Sequence, residues 1–276
     1  MLDLRQEDFG IFTPLFEKRP EIIPATLKSD LERYYLPFIN KLVTLKEERK
    51  ISERPIIGIS AIQGAGKTTQ EEVVKILLNH FGYSSVYLSI DDHYITHQEL
   101  KELQKKDPRY IRRGVTHDIP LGLAELKNLQ EMDGTRSILV SGYDKGAHHG
   151  EGDRFRFIVP VAGLTQVFKI DGETLTLESV TFNGEMINLP DNMGAEIPLN
   201  ENIFPENIVG FLRSAGNSGR VTLSCYSDTI EFSNNSGRMA ADSKDLPNGW
   251  HLVVQAPDFI FYDGWMLGAR KVLDES

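Results

Sequence analysis

The chain has 276 residues, 40% hydrophobic and 25% charged, with a formal net charge of -10. This is the composition of a globular protein long enough to bury a sizeable core. It argues against nucleic acid as the main partner, because neutralising phosphates needs basic surface. The single cysteine, Cys225, excludes an intramolecular disulfide and a cysteine-based zinc site.

No apolar run reaches the about 18 residues of a membrane span, so no membrane partner is expected. The acidic start, with Asp3, Glu7 and Asp8, is unlike a signal or transit peptide. A soluble, reducing, cytoplasmic setting is the expectation.

In chain order, apolar residues at three- and four-residue steps (Leu31, Tyr35, Phe38, Leu42, Leu45) predict helix over about residues 21–50. A charged connection follows over Lys46–Arg54. The run Pro55-Ile56-Ile57-Gly58-Ile59-Ser60 then reads as a buried strand, and Lys67 to about Phe81 as an amphipathic helix with Val73, Val74, Leu77 and Leu78 inward. A second strand, Ser85–Ile90, ends at Asp91-Asp92. Strand, helix, strand in this spacing is a βαβ unit, and hence a parallel sheet with a right-handed crossover. Helices are expected over 97–106 and 120–131, and a weaker strand at Ile138–Val140.

From Phe157 to about Trp250 the pattern becomes alternating, turn-rich and nearly helix-free. Asp171-Gly172 and Asn183-Gly184 each follow a strand-like run and signal hairpins. Val221–Cys225 and Thr229–Phe232 read as a further strand pair. The segment reads as a small all-β insertion, after which α/β character returns with Phe259-Ile260-Phe261-Tyr262-Asp263.

The strongest chemical signal is Ala61-Ile62-Gln63-Gly64-Ala65-Gly66-Lys67-Thr68-Thr69. It fits G-x-x-x-x-G-K-[ST] with alanine at the first glycine position. Small residues let backbone N–H groups wrap phosphates, and the helix N-terminus adds partial positive charge. Lys67 has the reach for the β- and γ-phosphates, and the Thr68 hydroxyl suits Mg²⁺. Gln63, Gly64, Ala65, Gly66, Lys67, Thr68 and Thr69 are therefore the candidate ATP-binding residues.

A carboxylate at the end of the second strand could accept the proton of an attacking hydroxyl or hold the metal; the spacing favours Asp91 as the base. Asp263, after an apolar strand, is the candidate metal-side acid. Lys145 and Arg154 could supply cations for an anionic substrate or the transferring phosphoryl group. His148-His149 suggests a metal pair, but adjacent side chains diverge, and the pair is read as surface.

Several pieces occur together in order: the glycine-rich turn, Ser89-Ile90-Asp91-Asp92-His93-Tyr94, Arg113-Gly114-Val115-Thr116-His117-Asp118, Tyr143-Asp144-Lys145, Gly152-Asp153-Arg154 and Gly264-Trp265-Met266-Leu267-Gly268. This ordered set resembles the D-glycerate 3-kinases, relatives of phosphoribulokinase, uridine kinase and pantothenate kinase. The resemblance implies an α/β, P-loop NTPase-type three-layer fold with a mostly parallel sheet. It implies MgATP as donor, a small hydroxy acid (D-glycerate) as acceptor, and Asp91 as base. Acceptor-binding roles would fall to Asp92, Tyr94, Arg113, Thr116, His117, Asp118 and Tyr143.

The corresponding division is an N-terminal helical segment 1–54, a first part of the kinase core at 55–156, a β-rich insertion at 157–249, and a return to the core at 250–276. In the family the connection after Gly-Asp-Arg is short, whereas here roughly 90 β-patterned residues intervene. The family also continues past Gly-Trp-Met-Leu-Gly, so the sequence is read as a fragment or a shortened relative. Two alternatives stand beside glycerate phosphorylation. One is another activity of the same kinase group. The other is a catalytically incomplete ATP-binding regulatory protein that uses the β insertion to meet a protein partner.

Overall fold

The computed structural model describes residues 2–62, 64–112, 116–134, 136–154, 161–189, 197–199, 204–216, 219–227, 229–242, 246 and 249–264. A 3-10 helix at Gln6–Phe12 leads into α1 (Thr13–Lys18), α2 (Pro24–Asp30) and α3 (Leu36–Glu47). Then come β1 (Ile56–Ser60), α4 (Lys67–His80), β2 (Ser85–Ser89), a 3-10 turn at Ile90–His93, α5 (His97–Lys106) and α6 (Ile119–Gln130). The chain continues with β3 (Ile138–Val140), β4 (Tyr143–Asp144), a helical turn α7 (Ala147–Gly150) and β5 (Asp153–Arg154). The β-rich stretch holds β6 (Leu164–Asp171), β7 (Thr174–Phe182), β8 (Glu185–Met186), β9 (Ile197–Pro198), α8 (Glu206–Arg213), β10 (Arg220–Tyr226), β11 (Thr229–Asn234) and β12 (Gly237–Asp242). β13 (His251–Val253) and β14 (Phe259–Gly264) complete it. None of these helices is long and apolar enough to cross a membrane.

Two compact units emerge. The first is Met1–Ile90, Leu126–Asp133 and Gln255–Ser276; the second is Asp91–Glu125 and Gly134–Val254. They cut the chain at other places than the sequence division at 54, 156 and 249.

In the first unit β14 lies between β1 and β2, parallel to both. The two strands of the expected βαβ unit are thus parallel but not adjacent. Phe259, Ile260 and Phe261 are fully buried because a central parallel strand is covered on both faces. Val73, Val74, Leu77 and Leu78 of α4 are also fully buried, and they join Phe259 and Phe261 in one core with Leu31, Ile39 and Val43. Burial of each large side chain contributes about 1.5–3 kcal/mol.

The helix expected over 21–50 is interrupted. Leu31–Tyr35 is π-helical, with the Leu36 N–H donating to Leu31 O five residues back. Pro37 follows in the first turn of α3, where its missing N–H costs nothing.

In the second unit α5 opens with a capping box: the Thr96 hydroxyl accepts from Glu99 N, and the Glu99 carboxylate accepts from Thr96 N. β3 is a strand as expected, but it pairs antiparallel with β13. Among the described residues, parallel pairing is therefore confined to β1, β14 and β2. The β-rich stretch is an antiparallel sheet in the order β12-β11-β10-β6-β7-β8, with β9 also on β7. Asp171 and Thr174 close the β6–β7 hairpin around Gly172, and Phe182 and Glu185 close the β7–β8 hairpin around Gly184.

The all-β reading of this stretch needs correction. In α8, Ile208, Val209 and Leu212 pack into the same core as Leu164, Val221, Ile230, Phe232 and Trp250. One apolar helical stripe covers the inward side of the sheet, which could not stay exposed.

Candidate functional site

In the first unit, the β1–β14–β2 register sets Ile59, Asp263 and Ser89 level at the carboxyl ends of three parallel strands. The turn leaving β1 is solvent-exposed at Gly64, Ala65, Gly66 and Thr68. Gly64 and Gly66 have φ of 80° and 82°, the left-handed region where side chains are strained, and Gly66 is the N-cap of α4. The turn closes through Ala65 N donating to Ile62 O at 3.3 Å.

Lys67 folds back over this turn. Its Nζ donates to Ala61 O (3.3 Å) and Ile62 O (3.4 Å), and it stands 3.9 Å from Asp263 Oδ2. A cation at the mouth of an open, glycine-bearing turn before a helix N-terminus is an arrangement suited to phosphate. Thr69 is half-buried beside it. Gln63 lies outside the described residues.

In the second unit, Lys145 Nζ donates to Asp91 Oδ2 at 2.6 Å. The lysine side chain is 60% exposed and the aspartate 25%. Such a pair is worth about 0–1 kcal/mol, so Lys145 can leave it at little cost. The Arg112 Nη1 donates to Lys145 O at 2.8 Å, and its guanidinium lies 5.8 Å from the Tyr143 ring centre.

Tyr94 stacks on His117 with ring centres 4.1 Å apart, and it tilts against Tyr143 at 5.2 Å. Burial pushes the Tyr143 phenol up to about 12, despite the opposing effect of Arg112. Thr116 is buried and donates to Ile111 O. Asp118 accepts from Leu121 N through Oδ1 and from Arg154 Nη2 through Oδ2, the latter at 3.2 Å.

Arg154 is itself buried. Its Nη2 also donates to Tyr94 O at 2.9 Å, while Nε and Nη1 have no hydrogen-bond partner among the described residues. Gly152 has φ of 83°, and a Cβ there would come within 2.5 Å of Arg112 Nη1 and Tyr143 Cε1; only glycine fits.

The structure thus gathers Asp91, Tyr94, Thr116, His117, Asp118, Tyr143, Lys145 and Arg154 in one unit, and Gly64 to Thr69 with Asp263 in the other. Asp92, half-buried, directly follows Asp91 in the 3-10 turn. Arg113 and the segment from Trp265 lie outside the described residues. Among the described residues no group of three or more His, Cys, Asp and Glu is arranged to hold a metal. His148 instead pairs with Asp153 at 3.0 Å and stacks on His97.

Sequence reasoning gave no role to Arg112, whose guanidinium contacts the Lys145 loop. It quoted His93 without a role and passed over Glu125 and Ser141. A charged residue on a helix ordinarily reads as solvent-facing, and nothing local signals that Glu125 is buried.

No family model matches the chain. Over 106 residues it is 35% identical to the chloroplastic D-glycerate 3-kinase of Arabidopsis thaliana, covering 36% of this chain and 23% of that protein. The resemblance to D-glycerate 3-kinases holds. The chain is also 35% identical over 116 residues to the uncharacterized kinase mug58 of Schizosaccharomyces pombe, covering 40% of this chain and 42% of the other. It is 32% identical over 132 residues to the probable ATP-dependent kinase TDA10 of Saccharomyces cerevisiae, covering 44% of this chain and 46% of the relative. The matched segments span less than half the length of each relative.

Proposed function

We propose that this protein is an ATP-dependent phosphotransferase that phosphorylates a hydroxyl of D-glycerate, giving 3-phosphoglycerate. The observation that carries the reading is Lys67 at the open glycine turn, 3.9 Å from the Asp263 carboxylate on the neighbouring strand. Backbone N–H groups from Gly64 to Thr69 hold the nucleotide phosphates, with Lys67 on the β- and γ-oxygens. Mg²⁺ is held by few protein oxygens alongside phosphate and water, and the Thr68 hydroxyl and Asp263 carboxylate fit that donor set. When bound, the ion neutralises charge on the phosphates.

On the acceptor side, Asp91 takes the proton of the attacking hydroxyl as the new O–P bond forms and the bond to ADP breaks. Lys145 exchanges its weak contact with Asp91 for the transferring phosphoryl oxygens. The buried donors Nε and Nη1 of Arg154 favour an anionic acceptor, since unsatisfied buried donors are costly. Tyr94, His117, Thr116, Asp118 and Tyr143, with Asp92 and Arg113, shape its pocket. The same reading makes residues 55–156 and 250–276 a P-loop NTPase-type three-layer core, with 157–249 as an insertion, and places the enzyme in the cytoplasm.

The test is ATP consumption by the purified protein with D-glycerate, uridine, pantothenate and ribulose 5-phosphate. D-glycerate is expected to be turned over fastest. Absence of turnover with it, or faster turnover with another acceptor, overturns the assignment.

A further inference from the structure

We infer that Glu125 is a positioning residue that ties the Asp91 turn to the Lys145 loop. Glu125 is 3% exposed, and its carboxylate is shared by two separate segments. Oε1 accepts from Ser141 N at 3.0 Å; Oε2 accepts from Ser141 Oγ at 3.1 Å and from His93 Nε2 at 3.0 Å. His93, 1% exposed, stands two residues after Asp91 in the same 3-10 turn. Ser141, also buried, directly follows β3 and precedes Lys145 by four residues. One buried carboxylate therefore anchors both chain segments whose tips form the 2.6 Å Lys145–Asp91 pair.

Further contacts hold the arrangement. Gly122 lies on the same face of α6, three residues before Glu125, and a Cβ there would meet the His93 ring at 3.1–3.3 Å. The His93 carbonyl accepts from Asp118 N at 2.6 Å, which fastens the turn to the start of α6. A buried carboxylate is a poor way to gain stability, because apolar residues of similar volume often do as well or better. Its directional bonds, by contrast, fix the register of two loops. Displacement of reacting groups by about 1 Å costs on the order of 100-fold in rate.

The catalytic consequence rests on the kinase reading above, so the experiment has an arm that needs no turnover. Hydrogen exchange is followed at amides 91–94 and 141–146 in the full chain, with α4 as internal reference, alongside kcat and the KM for ATP. In Glu125→Ala, protection is expected to fall at least tenfold at both segments together and to stay unchanged in α4. kcat is expected to drop about 100-fold, with KM for ATP within about threefold. Glu125→Gln keeps the volume and one acceptor oxygen and should give an intermediate loss.

Should Glu125→Ala not fold, Glu125→Gln carries the test, and the same paired loss is expected in smaller degree. Loss at one segment only, a uniform loss through the chain, or unchanged kcat in a protein with both segments loosened overturns the inference. If the wild-type protein phosphorylates no acceptor, that failure belongs to the kinase reading, and the exchange arm decides this one alone.

Discussion

Residues 91–125 and 134–154 share one compact unit with residues 161–253, yet the earlier and later stretches are stabilised in different ways. The later stretch is an antiparallel sheet with a helix in its core, and its burial is almost wholly apolar, from Leu164 and Phe168 to Phe232 and Trp250. Gln166 is the one polar residue it buries among the described residues. The earlier stretch buries His93, Thr116, Glu125, Ser141, Asp153 and Arg154 within about sixty residues. Burying such groups costs stability unless every one is hydrogen-bonded, so they concentrate where geometry matters more than stability. The contrast teaches that polar burial in this unit concentrates before residue 155, whereas the later sheet is buried almost wholly by apolar side chains, Leu139 of β3 among them.

The largest effect that could break this contrast is at Asp91. Asp91→Asn is expected to lower kcat by roughly 10²–10⁴-fold, with ATP affinity by calorimetry nearly unchanged. An equal loss of ATP binding would make Asp91 a structural or metal-side residue. On the other side, Phe232→Ala should cost about 3–5 kcal/mol in chemical denaturation while the ATP dissociation constant holds. A parallel loss of nucleotide affinity would break the contrast.

A smaller effect is expected at Gly152→Ala, about 1–3 kcal/mol, from the overlap with Arg112 and Tyr143 together with the left-handed backbone. Its signature is a raised KM for the acceptor, and an unchanged KM would remove Arg112 and Tyr143 from the acceptor pocket.

The smallest effect sharpens the contrast by pH. His97 is held below the usual histidine range, first by desolvation and then by its stacked neighbour His148. The folded state thus resists a proton that the unfolded chain accepts near pH 6.5. Stability is whole above that value and is lost as pH falls through it toward the lowered folded value. Urea midpoints should therefore fall from pH 7.5 to 5.5, and His148→Asn should reduce the slope. A slope that His148→Asn leaves untouched would mean that other groups carry it.

Much of this architecture was legible because its signals are local. The stripe Val73, Val74, Leu77 and Leu78 marks α4, the Thr96–Glu99 pair starts α5, and Asp171-Gly172 makes a hairpin wherever it is flanked by alternating residues. The short helix α8 was hidden inside a strand-like stretch, because its eight residues carry too few turns of periodicity to be read apart. Of the candidate site, the glycine turn, Asp91 and Lys145 were visible as motifs. Glu125 was not, because its role depends on His93 and Ser141, which lie 32 positions before it and 16 after it.

By itself, then, the sequence determined the elements and the residue types that carry charge, since propensity, capping and turn chemistry act within a few positions. Only the tertiary structure decided that β14 enters between β1 and β2, and so brings Asp263 to Lys67. It alone paired β3 with β13 and buried Glu125 between the segments that bear Asp91 and Lys145. Strand pairing and burial are set by contacts between residues far apart in the chain, and no local pattern encodes which distant partner will satisfy them.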